Sequence, residues 1–584
     1  MPLIGTAGHV DHGKSTLIRR ITGRDPDRWE EEKRRGLTID LGFAWTTLPD
    51  GTEVSFVDVP GHERYLKNML AGVEAIDVAL FVVAADEGWM PQSEEHLAVL
   101  DLLGVTRGLV ALTKVDMVEG DLLALARDEI SERLIGTTLE GAPIHAVSGT
   151  SGEGVEGLLA ALAELVPDDP APNGRPRLWV DRSFPIVGAG TVVTGSLLGA
   201  PLMVDDTVEI YPTGRRARVR GLQSHEQTHE SVGPGRRVAV NLGGVDHDEI
   251  SRGDMIGRPG QWGSSTRFSA RLRAARFVDE MTPKGDYQLH LGSSAHPVAI
   301  VGMQDGAAVL RVDHALPLAV GDRFIIRDTG RHLVVAGGRV IDPAPGRTGI
   351  ALDAAREVDP DEAPHEAASR LLAVRRIDTL ERLRAHSGGG DPAQAVLVGE
   401  WALDPSLLDE LSDRAESLVD ADHLEYPLRP GLSIATLAAR LGVDADIAER
   451  VVELSGRLQR RGPDVASSDH AALLTDEQEA AWAEARDRLA GSLSVPDDTD
   501  LGLDSEIVHL KVRNGELIRI NERLVYLPSQ IEEVIRHMAG LEGEFTVAEF
   551  RDAAGLSRKY AVPILEWSDK EGLTVRRGDL RRLR

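Results

Sequence analysis

The stretch GHVDHGKS at residues 8–15 constrains this chain more than any other. It fits G-x-x-x-x-G-K-[ST] and stands between an apolar run at 3–7 and a helical pattern at 15–21. Glycines at those positions let backbone amides close on phosphate oxygens. Lys14 can then reach the β- and γ-phosphates, and the Ser15 hydroxyl suits Mg²⁺. Such a loop needs a strand behind it and a helix ahead, so the first part of the chain must be α/β. Apolar runs at 54–59, 79–84, 109–112 and 144–147 read as further buried, parallel strands. Helical stretches at 93–103 and 155–165 fall between them, which predicts a doubly wound domain over residues 1–170. The proline-rich stretch PDDPAPNGRP, 167–176, closes it.

Three short motifs complete a nucleotide site. DVPGH places Asp58 at a strand end, where a carboxylate suits Mg²⁺ through water, and Gly61 offers an amide to the γ-phosphate. RGLTID supplies Thr38 as a second Mg²⁺ hydroxyl. In TKVD, Asp116 can accept from the N1 and N2 donors of guanine while the Lys114 stem covers the ring. Adenine lacks that donor pair, so GTP is the expected nucleotide.

From 177 the texture changes to short β-rich runs punctuated by Gly, Pro and Asp, which predicts two antiparallel barrels at 177–262 and 263–345. From 353 to 584 it turns helical. Helix, glycine turn, helix and hairpin recur around Gly442 and Gly555, the pattern of three or four tandem winged helices. The last module, about 540–584, is locally basic in a chain with 94 acidic and 65 basic residues. Arg558, Lys559 and Tyr560 open its second helix; Arg576, Arg577, Arg581 and Arg582 lie on its wing. Those residues suit looped RNA, with double-stranded DNA as the competing ligand. The net charge of −29 argues against indiscriminate nucleic-acid coating. Zero cysteines exclude disulfides, thiolate metal sites and cysteine nucleophiles. The start MPLIGTAGHV lacks signal-peptide regions and no apolar run has membrane-span length, so a cytoplasmic protein without membrane contact is expected.

GHVDHGKST, RGLTID, DVPGH and TKVD together resemble the translational GTPases. The resemblance implies that Gly8, His9, Val10, Asp11, His12, Gly13, Lys14, Ser15 and Thr16 form the phosphate loop and its helix start. Thr113, Lys114 and Asp116, with Ser148 and Gly149, would contact guanine. It implies that His62 orients the attacking water, with Val10 and Leu37 as an apolar gate. Asp11 matches a position that can hold a monovalent cation. Most relatives carry Asn where this chain has Thr113. The order GTPase domain, two barrels, winged helices resembles the selenocysteine-specific elongation factors (the SelB family), as do DRSFPIVGAGTVVTG and GGRVIDP. That resemblance implies a monomer binding GTP or GDP with Mg²⁺, selenocysteyl-tRNA, an mRNA hairpin marking a UGA codon, and the ribosome. A selenocysteine pocket would fall on Asp181, Arg182 and Arg237, where guanidinium groups can meet a selenolate. Two rival readings stay open: an elongation factor Tu-like GTPase for ordinary tRNA or ribosome recycling, and a GTP-switched nucleic-acid-binding regulator.

Overall fold

The computed structural model describes residues 2–26, 41–60, 76–167, 174–188, 190–279, 281–359 and 361–584. The chain forms two compact units, Met1–Asp404 and Pro405–Arg584.

The first unit begins with six strands: β1 Leu3–Ala7, β2 Gly42–Thr47, β3 Glu53–Asp58, β4 Val78–Ala84, β5 Gly108–Thr113 and β6 Ile144–Ala146. Their order across the sheet is β2-β3-β1-β4-β5-β6. Residues buried on both faces explain the apolar runs; every residue of β4 is buried. The sheet is mixed rather than wholly parallel. Strand β2 runs antiparallel to β3, with Phe43 opposite Val57 and Trp45 opposite Ser55. Its apolar residues, Phe43 to Trp45, make a run shorter than those of the buried strands, and burial fades towards Thr47. A tight turn closes this hairpin, with Leu48 N–H donating to Thr52 O and Gly51 at φ +88°. Helices α1 Lys14–Thr22, α2 Pro91–Leu102, α3 Gly120–Leu134 and α4 Val155–Leu165 accompany the sheet. Proline at the first position of α2 costs no hydrogen bond there and starts the helix cleanly. Val155, Leu158 and Leu162 make one buried stripe on α4.

Next come β7 Arg177–Trp179, β8 Arg182–Ile186, β9 Gly190–Leu198, β10 Leu202–Met203, β11 Thr207–Tyr211, β12 Arg215–Ser224, β13 Gln227–His229, β14 Ser231–Val232, β15 Arg236–Gly243 and β16 Met255–Gly257. The ring β11-β16-β7-β9-β15-β12 closes through β12–β11 pairing, and β8 pairs with β9. Alternation along β15 buries Val238, Val240 and Leu242 inside the ring. A second ring contains β17 Gly263–Ala274, β18 Tyr287–Leu291, β19 Ser294–Gln304, β20 Ala307–Leu318, β21 Arg323–Asp328 and β22 Leu333–Asp342. It closes in the order β17-β20-β19-β18-β21-β22 around a core that includes Phe268 and Phe324, edge to face at 5.6 Å. Helices Pro364–Arg375 and Leu380–Ser387 with a three-stranded sheet end this unit as a winged-helix module.

The second unit repeats that plan. Gly442, at φ +76°, turns helix Ile434–Leu441 into Ala445–Leu454, and strands Leu458–Arg461 and Asp464–Ser467 form a wing. Helices Asp476–Ala490 and Ser505–Arg513 precede a short hairpin, Ile518–Arg519 with Val525–Tyr526. The last module has helices Pro528–Ala539, Val547–Ala553 and Arg558–Lys570, and wing strands Thr574–Arg577 and Leu580–Leu583. No helix among the described residues is long and apolar enough to cross a membrane.

Candidate nucleotide site and inter-domain cavity

The carboxyl ends of the sheet strands carry the nucleotide motifs, where open α/β sheets bind ligands. The phosphate loop joins β1 to α1. Gly8 stands at φ +129°, and a Cβ there would lie 2.1 Å from Val82 O, so only glycine fits. Lys14 is buried and its ammonium donates to Gly8 O at 3.0 Å and His9 O at 2.6 Å. Ser15 and Thr16 open α1, half-buried, and Asp11 is exposed at φ 62°. Asp58, fully buried at the end of β3, accepts from the Thr6 hydroxyl at 2.7 Å. Ser15 and Asp58 supply hard oxygen donors of the kind Mg²⁺ takes, and the loop backbone is shaped for phosphate, so the residues present fit a magnesium nucleotide.

Sequence reasoning missed how this loop is held. Gln92 and His96 lie one turn apart on the same face of α2. Gln92 Oε1 accepts from Val10 N–H at 3.1 Å, and His96 Nδ1 accepts from Gly8 N–H at 3.0 Å. Burial, reinforced by the Lys14 charge and by His9, lowers the His96 pKa to about 3, so the ring is a neutral acceptor. His12 is also buried; desolvation lowers its pKa to about 4 and its Nδ1 lies 3.3 Å from Val82 O. Its ring is 5.1 Å from that of His9. At its other end α2 meets the second barrel: Arg273 pairs with Asp101 at 3.1 Å, and Arg323 donates to Leu103 O.

At the candidate base-reading loop, the buried Thr113 hydroxyl donates to His12 O at 2.6 Å, tying the end of β5 to the phosphate loop. Threonine in place of asparagine thus keeps a contact to that loop. Lys114 follows at φ 57° and Asp116 is exposed in the turn Val115–Met117. Ser148 is buried, accepts Ser151 N–H at 3.0 Å and lies 3.1 Å from the Thr150 hydroxyl. Gly149 packs on α1, where an added Cβ would sit 3.2 Å from Thr16 Cγ2. Leu37, Thr38, Gly61 and His62 lie outside the described residues.

Two of the three candidate pocket residues, Arg182 and Arg237, line a cavity of about 360 Å³ between β2 and the first barrel, and Asp181 reaches it only through its pair with Arg237. Arg182 lines it, half-buried. Arg237 donates to Asp181 Oδ1 at 2.8 Å and to Thr194 Oγ1 at 3.0 Å, while the Thr194 hydroxyl donates to the same carboxylate oxygen at 2.5 Å. The Asp181 and Arg237 side chains are 11% and 14% exposed, so this is a part-buried pair and its geometry is fixed. The Arg237 guanidinium also sits 3.9 Å from the Phe43 ring centre. Two positions along β2, Trp45 stacks on His225 at 4.7 Å, with Arg24 on the ring at 3.8 Å. His225 Nε2 lies 3.0 Å from Ser55 Oγ. The spacing of Phe43 and Trp45, two apart, was the available signal for this aromatic wall.

In the terminal module Arg558, Lys559, Arg576, Arg577 and Arg582 are exposed. Lys559 pairs with Asp497 at 2.9 Å, and Tyr560 packs half-buried against the module's apolar cluster. Arg581 departs from the surface role expected of it. It is 4% exposed and its Nε donates to Asp569 Oδ2 at 2.9 Å, because alternation in a four-residue strand turns it inward.

Family models match three segments: the elongation factor Tu GTP binding domain at residues 1–168, the selenocysteine-specific elongation factor β-barrel domain at 266–347, and the elongation factor SelB winged helix at 536–583. The selenocysteine-specific elongation factor of Desulfomicrobium baculatum is 33% identical, with all of both chains covered. The chain belongs to the selenocysteine-specific elongation factor family. Its counterpart in Escherichia coli (strain K12) is 32% identical over 99% of this chain and 98% of that one. The crystal structure of a bacterial selenocysteine-specific factor, EF-Sec, matches with a TM-score of 0.76 at 27% identity, each chain fully covered. The protein is therefore a SelB-type translational GTPase: a GTPase domain, two closed barrels and winged helices.

Proposed function

We propose that this GTPase carries selenocysteyl-tRNA to the ribosome at UGA codons followed by an mRNA hairpin, acting in the cytoplasm as a monomer. In this reading the loop from Gly8 to Thr16 cradles the phosphates and Lys14 meets the β- and γ-oxygens. Ser15, Thr38 and Asp58, the last through water, would hold Mg²⁺. Bound Mg²⁺ supplies positive charge to the phosphate oxygens during transfer. Asp116 and Lys114 select guanine, backed by Ser148 and Gly149. Gly61 would donate to the γ-phosphate and His62 would orient the water, so hydrolysis depends on placement rather than on a strong base.

The observation that carries the cargo reading is Arg237, clamped by Asp181 and Thr194 at the wall of the cavity. Selenocysteine is ionised near neutral pH, unlike serine or cysteine, and a fixed guanidinium favours the anion. Arg182 would add a second positive charge, while Asp181 orients its partner. Binding of selenocysteyl-, seryl- and cysteyl-tRNA to the full chain tests this directly. Selenocysteyl-tRNA should bind tightest, and R182A/R237A should remove that preference while sparing GTP binding. Equal affinity for all three tRNAs would sink the reading. Hairpin RNA is assigned to the exposed Arg558, Arg576, Arg577 and Arg582, with Lys559 available if its pair with Asp497 opens.

A further inference from the structure

The turn after β4 carries two adjacent carboxylates, Asp86 and Glu87, and both reach Lys114. The ammonium donates to Glu87 Oε1 at 2.6 Å and to Asp86 Oδ2 at 3.2 Å. The turn that presents them is itself held: Ala85 N–H donates to Thr113 O at 2.9 Å, and Gly88 N–H to Ala84 O at 2.9 Å. Lys114 is fixed at its other end by a left-handed backbone, φ 57°, which a residue with a Cβ adopts only where its surroundings impose it. Burial alone would lower the Lys114 pKa; the hydrogen bonds to Glu87 and Asp86 outweigh it and raise the value. The ammonium is therefore charged, and the four-carbon stem runs between a strained backbone and an anchored tip.

We infer that Asp86 and Glu87 are positioning residues of the base site, a role that rests on Lys114 and Asp116 being the guanine-reading pair. They hold the lysine stem in place as one wall of the base slot. A free lysine gives up rotamer freedom when a ring lies against it, whereas a tethered one has already done so on folding. The relation works in both directions. Lys114 neutralises two carboxylates that would otherwise repel an incoming nucleoside triphosphate.

That reciprocity makes the inference testable by a double-mutant cycle on the full chain. Release of fluorescent GDP and GTP analogues is followed by stopped flow. D86N/E87Q should speed release of both roughly tenfold, the size of one missing charge-assisted hydrogen bond. E87Q alone, which removes the shorter bond, should give the larger share. In a K114M background the same pair should slow release or leave it unchanged, because two unpaired carboxylates have been removed. A purely structural defect would speed release equally in both backgrounds, and that result, or unchanged release in D86N/E87Q, overturns the inference. D116N keeps the base-site reading separately accountable. Its amide can donate to the 2-oxo group of xanthine, so preference should move from GTP to XTP. If it does not move, the guanine-site reading has failed, and the anchor with it. If it moves while the cycle is additive, only the anchor has failed.

Discussion

At the residue scale the phosphate loop depends on contacts that do not touch phosphate. Thr113→Val keeps shape but leaves the buried His12 carbonyl without its hydroxyl partner. The expected cost is about 1–3 kcal/mol, read as weaker GTP and GDP binding by equilibrium titration, with the guanine preference proposed for Asp116 retained. Gly8→Ala should abolish nucleotide binding, since its Cβ has nowhere to go beside Val82 O. His96 sets an acid limit. Its folded pKa of about 3 lies below the ordinary value of 6.5, so between those values the unfolded chain binds more protons. Stability linked to this group is complete above pH 6.5 and is lost as pH falls from there towards 3. His12, near 4, and His386, near 3, push the same way. His96→Asn offers an acceptor without the titration, so denaturation midpoints for that variant should fall less steeply with acid than in the parent.

At the element scale the hairpin β12–β13 turns on two residues, His225 and Glu226, both left-handed at φ 51° and 64°. Such turns favour Asn-Gly, and each non-glycine residue costs roughly 1–2 kcal/mol. Both strained residues reach the GTPase domain, His225 by stacking on Trp45 and Glu226 by pairing with Arg24 at 3.8 Å. H225N/E226G should therefore relieve the turn while uncovering Trp45. Thermal stability should stay within about 1 kcal/mol, since a ring contact is worth about 0.5–1.5 kcal/mol, and the tryptophan emission should shift to the red. In the terminal wing, Arg581 and its neighbours should separate by assay. R581A should destabilise its module by about 2 kcal/mol, the worth of a bond between charged groups, seen in thermal melting. R576A/R577A/R582A should leave melting intact and weaken hairpin RNA. The slope of log affinity against log salt should fall by about 0.7 for each phosphate that no longer meets an arginine. The sequence could not separate these arginines, because two-fold alternation in so short a strand has no flanking pattern to fix its phase. The glycine pattern of the phosphate loop was legible because one backbone geometry satisfies it. The helix–glycine–helix units were legible for the same reason at Gly442 and Gly555. Strand β2, Gln92 and His96 were not. The partners of Gln92 and His96, Val10 and Gly8, lie more than 80 residues away in the chain, and no local pattern records them.

At the scale of the whole molecule, the acidic balance and the basic terminal wing work together. A chain of net charge −29 repels polyanions broadly, and the RNA contact proposed for Arg558, Arg576, Arg577 and Arg582 falls where those side chains stand clear. Truncation before Val547 should abolish hairpin binding in a mobility-shift assay and leave GTP binding unchanged. Division into barrels and winged helices was readable from texture; the strand pairings that close each ring, such as β17–β22, were not, since no single stretch encodes them. Ring closure has a further consequence. An open sheet of comparable size ends in strands with unsatisfied amides and carbonyls, which recruit other chains edge to edge. Here the long strands close on themselves, and β2, an edge of the GTPase sheet, lies with Phe43 and Trp45 against the first barrel. The opposite edge, β6, is three residues long, and the wing strands run to four at most. Among the described residues this leaves few strand edges open to such pairing, the free side of β8 beside β9 being one.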